Sequence, residues 1–206
     1  MKLIASTTSP FVRKVLVAAH ELGLQDRIEV EYLITTVLAP NRRLSALHPL
    51  TKLPTLVTDD GMSLYDSRVI VEYLQSLTDN ALAGVDRFAV LRTQALADGI
   101  LDAVVLVFYE KVFREEALRS QTWLDAQADK ARRGLAELES TLATWARTAA
   151  AFDIGQIAVA SALGWLELRE PLGPLRPAYP QLFAWYDSVQ QRPSMQATQL
   201  RLPPKA

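Results

Sequence analysis

Near residue 79 the pattern of the chain changes, and that change constrains the fold more than any other feature of the sequence. Before it, short apolar runs alternate with helical stripes; after it, helical periodicity continues with no convincing strand. Leu3-Ile4-Ala5 reads as a buried strand, and Ser9-Pro10 as a helix start with a side-chain acceptor at the N-cap and proline in the first turn. Phe11, Val15, Ala19 and Leu22 then recur at helical spacing, with Val12 and Leu16 widening the stripe. Arg13, Lys14, His20 and Glu21 fall on the other face, and Gly23 ends the helix. A strand is expected over 28–34 and one helical turn over 40–49. Leu53 to Val57 and Met62 to Leu64 read as paired strands joined by Asp59-Asp60-Gly61, and Asp66-Ser67 opens a last helix. The order β-α-β-(α)-β-β-α implies a mixed sheet flanked by helices. Four helical segments follow, at about 86–114, 121–148, 153–169 and 180–192, with a linker from Asp79 through Gly84. The expected architecture is an α/β N-terminal domain over 1–79 plus an all-α C-terminal domain over 85–206.

At 206 residues, half of them hydrophobic, the chain has enough apolar material for two modest cores. A net charge of −1 without like-charge blocks favours neither nucleic acid nor an anionic membrane as a partner. Cysteine is absent, which removes disulfides, thiolate metal sites and any protein thiol nucleophile. The opening residues lack the extended apolar stretch of a signal peptide, and the apolar run from Ala103 to Tyr109 is too short to span a membrane. A cytoplasmic, soluble protein is the expectation.

Three local features carry possible chemistry. Ser9, at a helix N-terminus behind the turn Ser6-Thr7-Thr8, stands where free amides and the helix dipole favour an anion. A hydroxyl there could hydrogen-bond a bound thiolate and lower the thiol pKa; it also reads as an ordinary N-cap. Pro54 leads into an internal strand, where its missing N–H is awkward. Either the strand is an edge strand, or a cis Leu53–Pro54 bond turns the Leu53 backbone outward for an extended peptide ligand. At Asp66-Ser67 a carboxylate beside a free helix-start amide and hydroxyl suits an α-amino acid head group, which carries both charges side by side. A helix cap accounts for this dipeptide as well. Asp153 with Gln156 has the spacing of a reciprocal capping box, a structural feature of the second half.

In this order and spacing, Thr8-Ser9-Pro10-Phe11-Val12-Arg13-Lys14, His48 through Leu56 and Leu64-Tyr65-Asp66-Ser67 resemble the glutathione S-transferase superfamily. The likeness is nearest to small bacterial transferases that begin Ser-Pro-Phe-Val-Arg-Lys. It extends to Ala97-Asp98-Gly99-Ile100-Leu101-Asp102-Ala103 and to the terminal Pro-Pro-Lys-Ala. The resemblance implies a thioredoxin-like N-terminal domain, an all-helical C-terminal domain, a homodimer, and glutathione as co-substrate with no metal. It implies that Ser9 faces the glutathione sulfur, that the Leu53 backbone before Pro54 pairs with the cysteinyl unit, and that Asp66 and Ser67 hold the γ-glutamyl head group. Asp102 corresponds to an aspartate that in some classes reaches glutathione on the other subunit; Asp98, four residues away on the same face, leaves a solvated or interface role open. Phe11, Val104, Val105, Phe108 and Tyr109 are candidate walls for the second substrate, with the tail near Leu200 closing over them. Arg68 with Asp98 or Asp102 would supply interface charges.

The sequence departs from the family pattern at His48, where asparagine is usual, at Thr51, where glycine is usual, and at Gln156, where aspartate is common. The reaction implied is attack of a glutathione thiolate on an electrophile. An isomerase or dehalogenase on the same scaffold and a non-catalytic interaction module are the competing readings.

Overall fold

The computed structural model describes residues 1–79, 82, 86–146 and 152–202. Most of the expected linker and the terminal Pro-Pro-Lys-Ala lie outside these residues. The chain divides into two compact units, Met1–Leu82 with the segment from Pro193, and Ala83–Arg192. The segment from Pro193, which follows the last long helix, groups with the first unit.

In the first unit the elements run β1 (Lys2–Ala5), α1 (Pro10–Glu21), β2 (Glu29–Tyr32), α2 (Arg42–Leu47), β3 (Thr55–Val57), β4 (Ser63–Leu64) and α3 (Ser67–Ser76). The sheet has the order β2-β1-β3-β4. β1 and β2 are parallel, with α1 as the crossover such a pair requires, while β1/β3 and β3/β4 are antiparallel. This is the thioredoxin-like arrangement. Leu3, Ile4 and Ala5 are wholly buried, as expected of a central strand covered on both faces. Ser9 caps α1 through its side chain, Pro10 occupies the first turn, and Gly23 leaves the helix with φ +70°, a conformation other residues adopt at a cost.

Arg13 and Lys14, expected on a solvent face, are 3% and 1% exposed. For Arg13 the reason lies at the far end of the chain. A short helix α9 (Pro193–Ala197) covers that side of α1. Arg13 Nη2 donates to the Met195 carbonyl at 3.3 Å, and the Ser194 hydroxyl bonds the Glu21 carboxylate. Further on, the Arg201 amide donates to the Thr7 carbonyl at 3.0 Å, tying the tail to the turn before Ser9.

The second unit contains α4 (Arg87–Phe113), α5 (Gln121–Ser140), α6 (Leu142–Trp145), α7 (Ile154–Arg169) and α8 (Pro180–Val189). The segment expected over 121–148 breaks at Thr141, and the last ends at Val189. α7 is the centre of this unit: every residue from Ile154 to Leu166 is buried, the burial expected of a helix apolar around its whole circumference. Gly155 lets α4 approach closely, since a Cβ there would stand 2.8 Å from the Val90 carbonyl oxygen.

Asp153 caps α7 as expected, its Oδ1 accepting from the Gln156 amide at 2.9 Å. The reciprocal arm of the capping box is not made. The Gln156 side chain instead donates to the Trp145 carbonyl at 3.3 Å, linking α7 to the end of α6. A glutamine long enough to reach that carbonyl satisfies an orphan acceptor at a helix C-terminus.

Candidate functional site

Sheet register brings the three sequence motifs of the first unit to one end of the sheet. Ile4 pairs with Thr55, so the chain beyond β1 runs beside Pro54 and Leu53. Leu64 pairs with Leu56, so Tyr65 and Asp66 continue past β4 toward the same end. The C-terminal end of β1, the N-terminal entry to β3 and the C-terminal end of β4 thus converge, and each is followed or preceded by one candidate group.

At the first of these, Ser9 is half-buried and its Oγ accepts from the Val12 amide at 3.2 Å. The acceptor role leaves the hydroxyl proton to be donated elsewhere. Pro10 has no N–H, the Val12 amide is used by the cap, and the Arg13 amide bonds the Ser9 carbonyl at 3.0 Å. Among the first-turn groups, the Phe11 amide and the Ser9 hydroxyl are left to meet an anion. Ser6 Oγ and Thr8 Oγ1 lie 3.1 Å apart and hold the preceding turn together.

At the second, the Leu53–Pro54 peptide is cis. Pro54 is buried and Leu53 is half-buried. The Leu53 N–H and C=O form no hydrogen bond with any described residue, so this stretch offers an unused backbone edge. Thr55 supports the loop by donating from Oγ1 to the Lys52 carbonyl at 3.0 Å. The departure at Thr51 is accommodated with φ +51°, the conformation a glycine adopts most readily.

At the third, Asp66 caps α3, its Oδ1 accepting from the Arg68 amide at 2.8 Å. The preceding Tyr65–Asp66 peptide is cis. Asp66 is exposed, whereas Ser67 is 2% exposed and its hydroxyl bonds no described residue. A carboxylate on the surface beside a helix-start hydroxyl can meet an ammonium and a carboxylate on one ligand.

The sequence singled out His48 only as a departure from a pattern. The structure shows it as the link between the second and third motifs. Its ring stacks on Tyr65 with centroids 3.9 Å apart and an interplanar angle of 18°. Its Nδ1 accepts from the Leu50 amide at 3.1 Å, which assigns the neutral ring's proton to Nε2. Burial lowers its pKa most, the Lys52 charge lowers it further, and Asp66 opposes both. Histidine at this position was legible, but its partner was not, because Tyr65 is distant in sequence and apposed only by the β3–β4 pairing.

A stability consequence follows. Where the folded pKa is depressed, the unfolded chain takes up the proton first as pH falls below about 6.5, so the folded state is favoured above that pH and loses stability below it. His48→Gln is expected to flatten this segment of the profile. Urea midpoints between about pH 7.5 and about pH 5 would check it. Parallel profiles for the two proteins would show that His48 does not titrate in this way.

In the second unit, Asp98 and Asp102 share a helix face but not an environment: Asp98 is 2% exposed and Asp102 lies on the surface. Of the expected pocket walls, Val104 has no accessible surface and belongs to the core. Val105, Phe108 and Tyr109 are half-buried, as is Phe11 in the first unit. Burial raises the Tyr109 pKa, which keeps the phenol neutral. No cluster of three or more metal-ligating side chains occurs among the described residues.

Residues 8–77 match the family model for the glutathione S-transferase N-terminal domain, and 121–188 match that for the C-terminal domain. The chain belongs to the glutathione S-transferase family. It is 33% identical over 211 residues to the uncharacterized GST-like protein YibF of Escherichia coli (strain K12), covering 100% of each chain. Among solved structures, a glutathione transferase family member from Pseudomonas fluorescens Pf-5, with bound glutathione, is 44% identical with a TM-score of 0.91. That match covers 98% of this chain and 99% of the other. A glutathione S-transferase from Methylobacillus flagellatus KT with glutathione bound is 36% identical, with a TM-score of 0.84, covering 97% and 99%. A second structure of the Pseudomonas protein, 44% identical with a TM-score of 0.87 over 97% and 99%, holds S-(propanoic acid)-glutathione. The chain is a glutathione transferase by these relationships, and the transferase fold expected from the sequence is the fold observed.

Proposed function

We propose that this transferase is of the serine type and acts as the small bacterial members do, binding glutathione and stabilising its thiolate with Ser9 for attack on an electrophile. The observation that carries this reading is the convergence at one sheet end of a donating hydroxyl, the unused Leu53 backbone edge and the Asp66-Ser67 helix start. The cysteinyl unit pairs with the Leu53 backbone before Pro54, the sulfur meets the Ser9 hydroxyl, and the γ-glutamyl head group is held by Asp66 and Ser67. The chemistry is proximity plus electrostatic stabilisation of sulfur.

The reading includes a homodimer. In the first unit Leu50, Met62 and Val69 are exposed apolar side chains, 70%, 56% and 47% accessible, and a second copy of the chain would cover them. Asp102 rather than buried Asp98 is then the aspartate to reach a partner's glutathione. For the electrophile, the half-buried ring of Phe11, two residues after Ser9, is the candidate apolar wall in the first unit. The Pseudomonas relative's S-(propanoic acid)-glutathione places an acid on sulfur, and we extend to this chain an electrophile that bears one. No described helix is long and apolar enough to cross a membrane, which fits the proposed cytoplasmic setting.

The test is retention on immobilised glutathione together with a thermal shift in millimolar glutathione. Retention and a raised melting temperature are expected, because a ligand that binds only the folded state stabilises it. Absence of both would favour the interaction-module reading. Gel filtration should give a species of twice the chain mass.

A further inference from the structure

One imidazole holds the turn between α2 and the Leu53 edge. His48 follows the last residue of α2, and its own amide donates to the Leu44 carbonyl at 2.8 Å. Two amides of the turn come back to it. The Leu50 amide donates to Nδ1 at 3.1 Å, and the Thr51 amide donates to the His48 carbonyl at 2.8 Å. The first is the bond that an asparagine side chain makes to the backbone two residues on, here made by a ring. Thr51 stands at φ +51°, which a β-branched residue adopts only at a cost, so the turn depends on the bonds that hold it. Ser45 Oγ and Thr51 Oγ1, 2.9 Å apart, tie the same turn to α2. Lys52 and Leu53 follow directly, so the position of the Leu53 edge is a consequence of this turn.

The face of the ring is held as well. His48 is 3% exposed and lies flat on Tyr65, the residue before the Asp66 cap. All of these residues belong to the first unit. The ring therefore joins the stretch that would pair with the cysteinyl unit to the helix start that would hold the head group. An asparagine oxygen would remain an acceptor as pH falls, but an imidazole nitrogen does not. Once the ring is protonated both nitrogens are donors, and Nδ1 then meets the Leu50 N–H as donor against donor. A charged ring still stacks on an aromatic face, so the contact that gives way is the one to the turn. Among the described residues two charges act on the ring: Lys52 in its own loop opposes protonation, and Asp66 at the start of α3 favours it. Burial, the strongest influence, opposes it too, while Arg42 and Arg43 at the far end of α2 do not act on it.

We propose that His48 is a positioning residue of the glutathione site: neutral, it holds the turn that sets the Leu53 edge, and protonated it releases that turn and weakens glutathione binding. This rests on the glutathione reading above and adds a regulation of the same site. The site is complete above the ordinary histidine range of about pH 6.5 and is lost as pH falls through the lowered value in the fold. Apparent affinity follows the fraction of neutral ring, and bound ligand in return draws the titration of His48 lower still.

The test is equilibrium binding of S-methylglutathione to the full chain between about pH 7.5 and about pH 5. Its sulfur has no proton to lose, so the profile is free of thiol ionisation at Ser9. The dissociation constant is expected to be steady down to about pH 6.5 and to rise about fivefold by about pH 5. In His48→Asn, which keeps an acceptor for the Leu50 amide, it should vary less than about twofold across the range and stay within about threefold of the wild-type value at about pH 7.5. His48→Phe keeps a ring against Tyr65 without an acceptor, and should bind about fivefold more weakly than the wild type at about pH 7.5, with no slope. Proton NMR of the wild type gives a second reading: one of its two histidine rings should titrate at lower pH in saturating S-methylglutathione than without it. A flat wild-type profile, a slope that persists in His48→Asn, or histidine titrations unmoved by ligand overturns the assignment while leaving glutathione binding standing. Failure of S-methylglutathione to bind at any pH would instead strike the glutathione reading, and this inference with it. The wild-type profile and its NMR titration decide the question even if the variants do not fold.

Discussion

Ser9→Ala is expected to lower turnover at saturating substrates by about 10- to 100-fold while changing glutathione affinity far less. Pro10 supplies no amide, Val12 spends its amide on the cap, and Arg13 spends its own on the Ser9 carbonyl. A sulfur anion at this helix end therefore has the Ser9 hydroxyl and the Phe11 amide as donors, so deleting the hydroxyl removes a large part of its stabilisation. A free thiol has a pKa of about 8.5, and each unit by which the site lowers it raises the thiolate fraction at neutral pH up to about tenfold. The neutral thiol gains much less from the same hydroxyl, so binding is mostly preserved. Alanine also removes the N-cap, a loss of about 1 kcal/mol that would lower thermal stability slightly.

Ser9→Thr separates the two effects, since it keeps both hydroxyl and cap. Turnover with a chloronitrobenzene, alongside the ultraviolet absorbance of bound thiolate against pH, measures them directly. The expected result is a raised thiol pKa in the alanine variant and recovery in threonine. An unchanged turnover number in Ser9→Ala would leave the serine as a helix cap alone.

Gly155→Ala should destabilise the protein by about 2–3 kcal/mol, although alanine is the better helix former by about 1 kcal/mol. The added methyl would stand 2.8 Å from the Val90 carbonyl oxygen, 3.0 Å from Thr93 Cβ and 3.2 Å from Asp153 Oδ1. The first of these is backbone on α4 and cannot rotate away, so the two helices must part. The last is the capping oxygen of α7 itself, whose bond to the Gln156 amide would be disturbed. For a chain of this length the melting temperature should fall by about 5–10 °C. Gly99→Ala is the control: it lies in α4 with nothing within 4 Å of the added atom, and should gain about 0.5–1 kcal/mol. Urea or thermal midpoints measure both. A Gly155→Ala protein as stable as the wild type would contradict the close approach of α4 and α7.

Much of this protein was legible in the chain because its signals are local. Ser9-Pro10 at a helix start, Asp66 and Asp153 as caps, and Gly23 as a stop all act within one turn, and each occurs where it was expected. The changeover from alternating elements to continuous helix is likewise a property of neighbouring residues. Three motifs in a fixed order were enough to mark a glutathione transferase, because order along the chain needs no knowledge of distance.

What the tertiary structure decided concerns pairs that sequence separates. Arg13 looks solvent-facing on an isolated helix and becomes buried where α9, some 180 residues later, meets it. Gln156 has the spacing to complete a capping box, yet bonds the Trp145 carbonyl, since a side chain takes whichever acceptor the packing presents. His48 meets Tyr65, and Arg169 meets Phe108, only through strand pairing and helix packing. Periodicity reports which face of an element is apolar, not what will cover it. The caps and the order of elements thus belong to the sequence, while the environment of each charged or titratable group belongs to the fold, because burial and pairing are set by neighbours that chain order does not reveal.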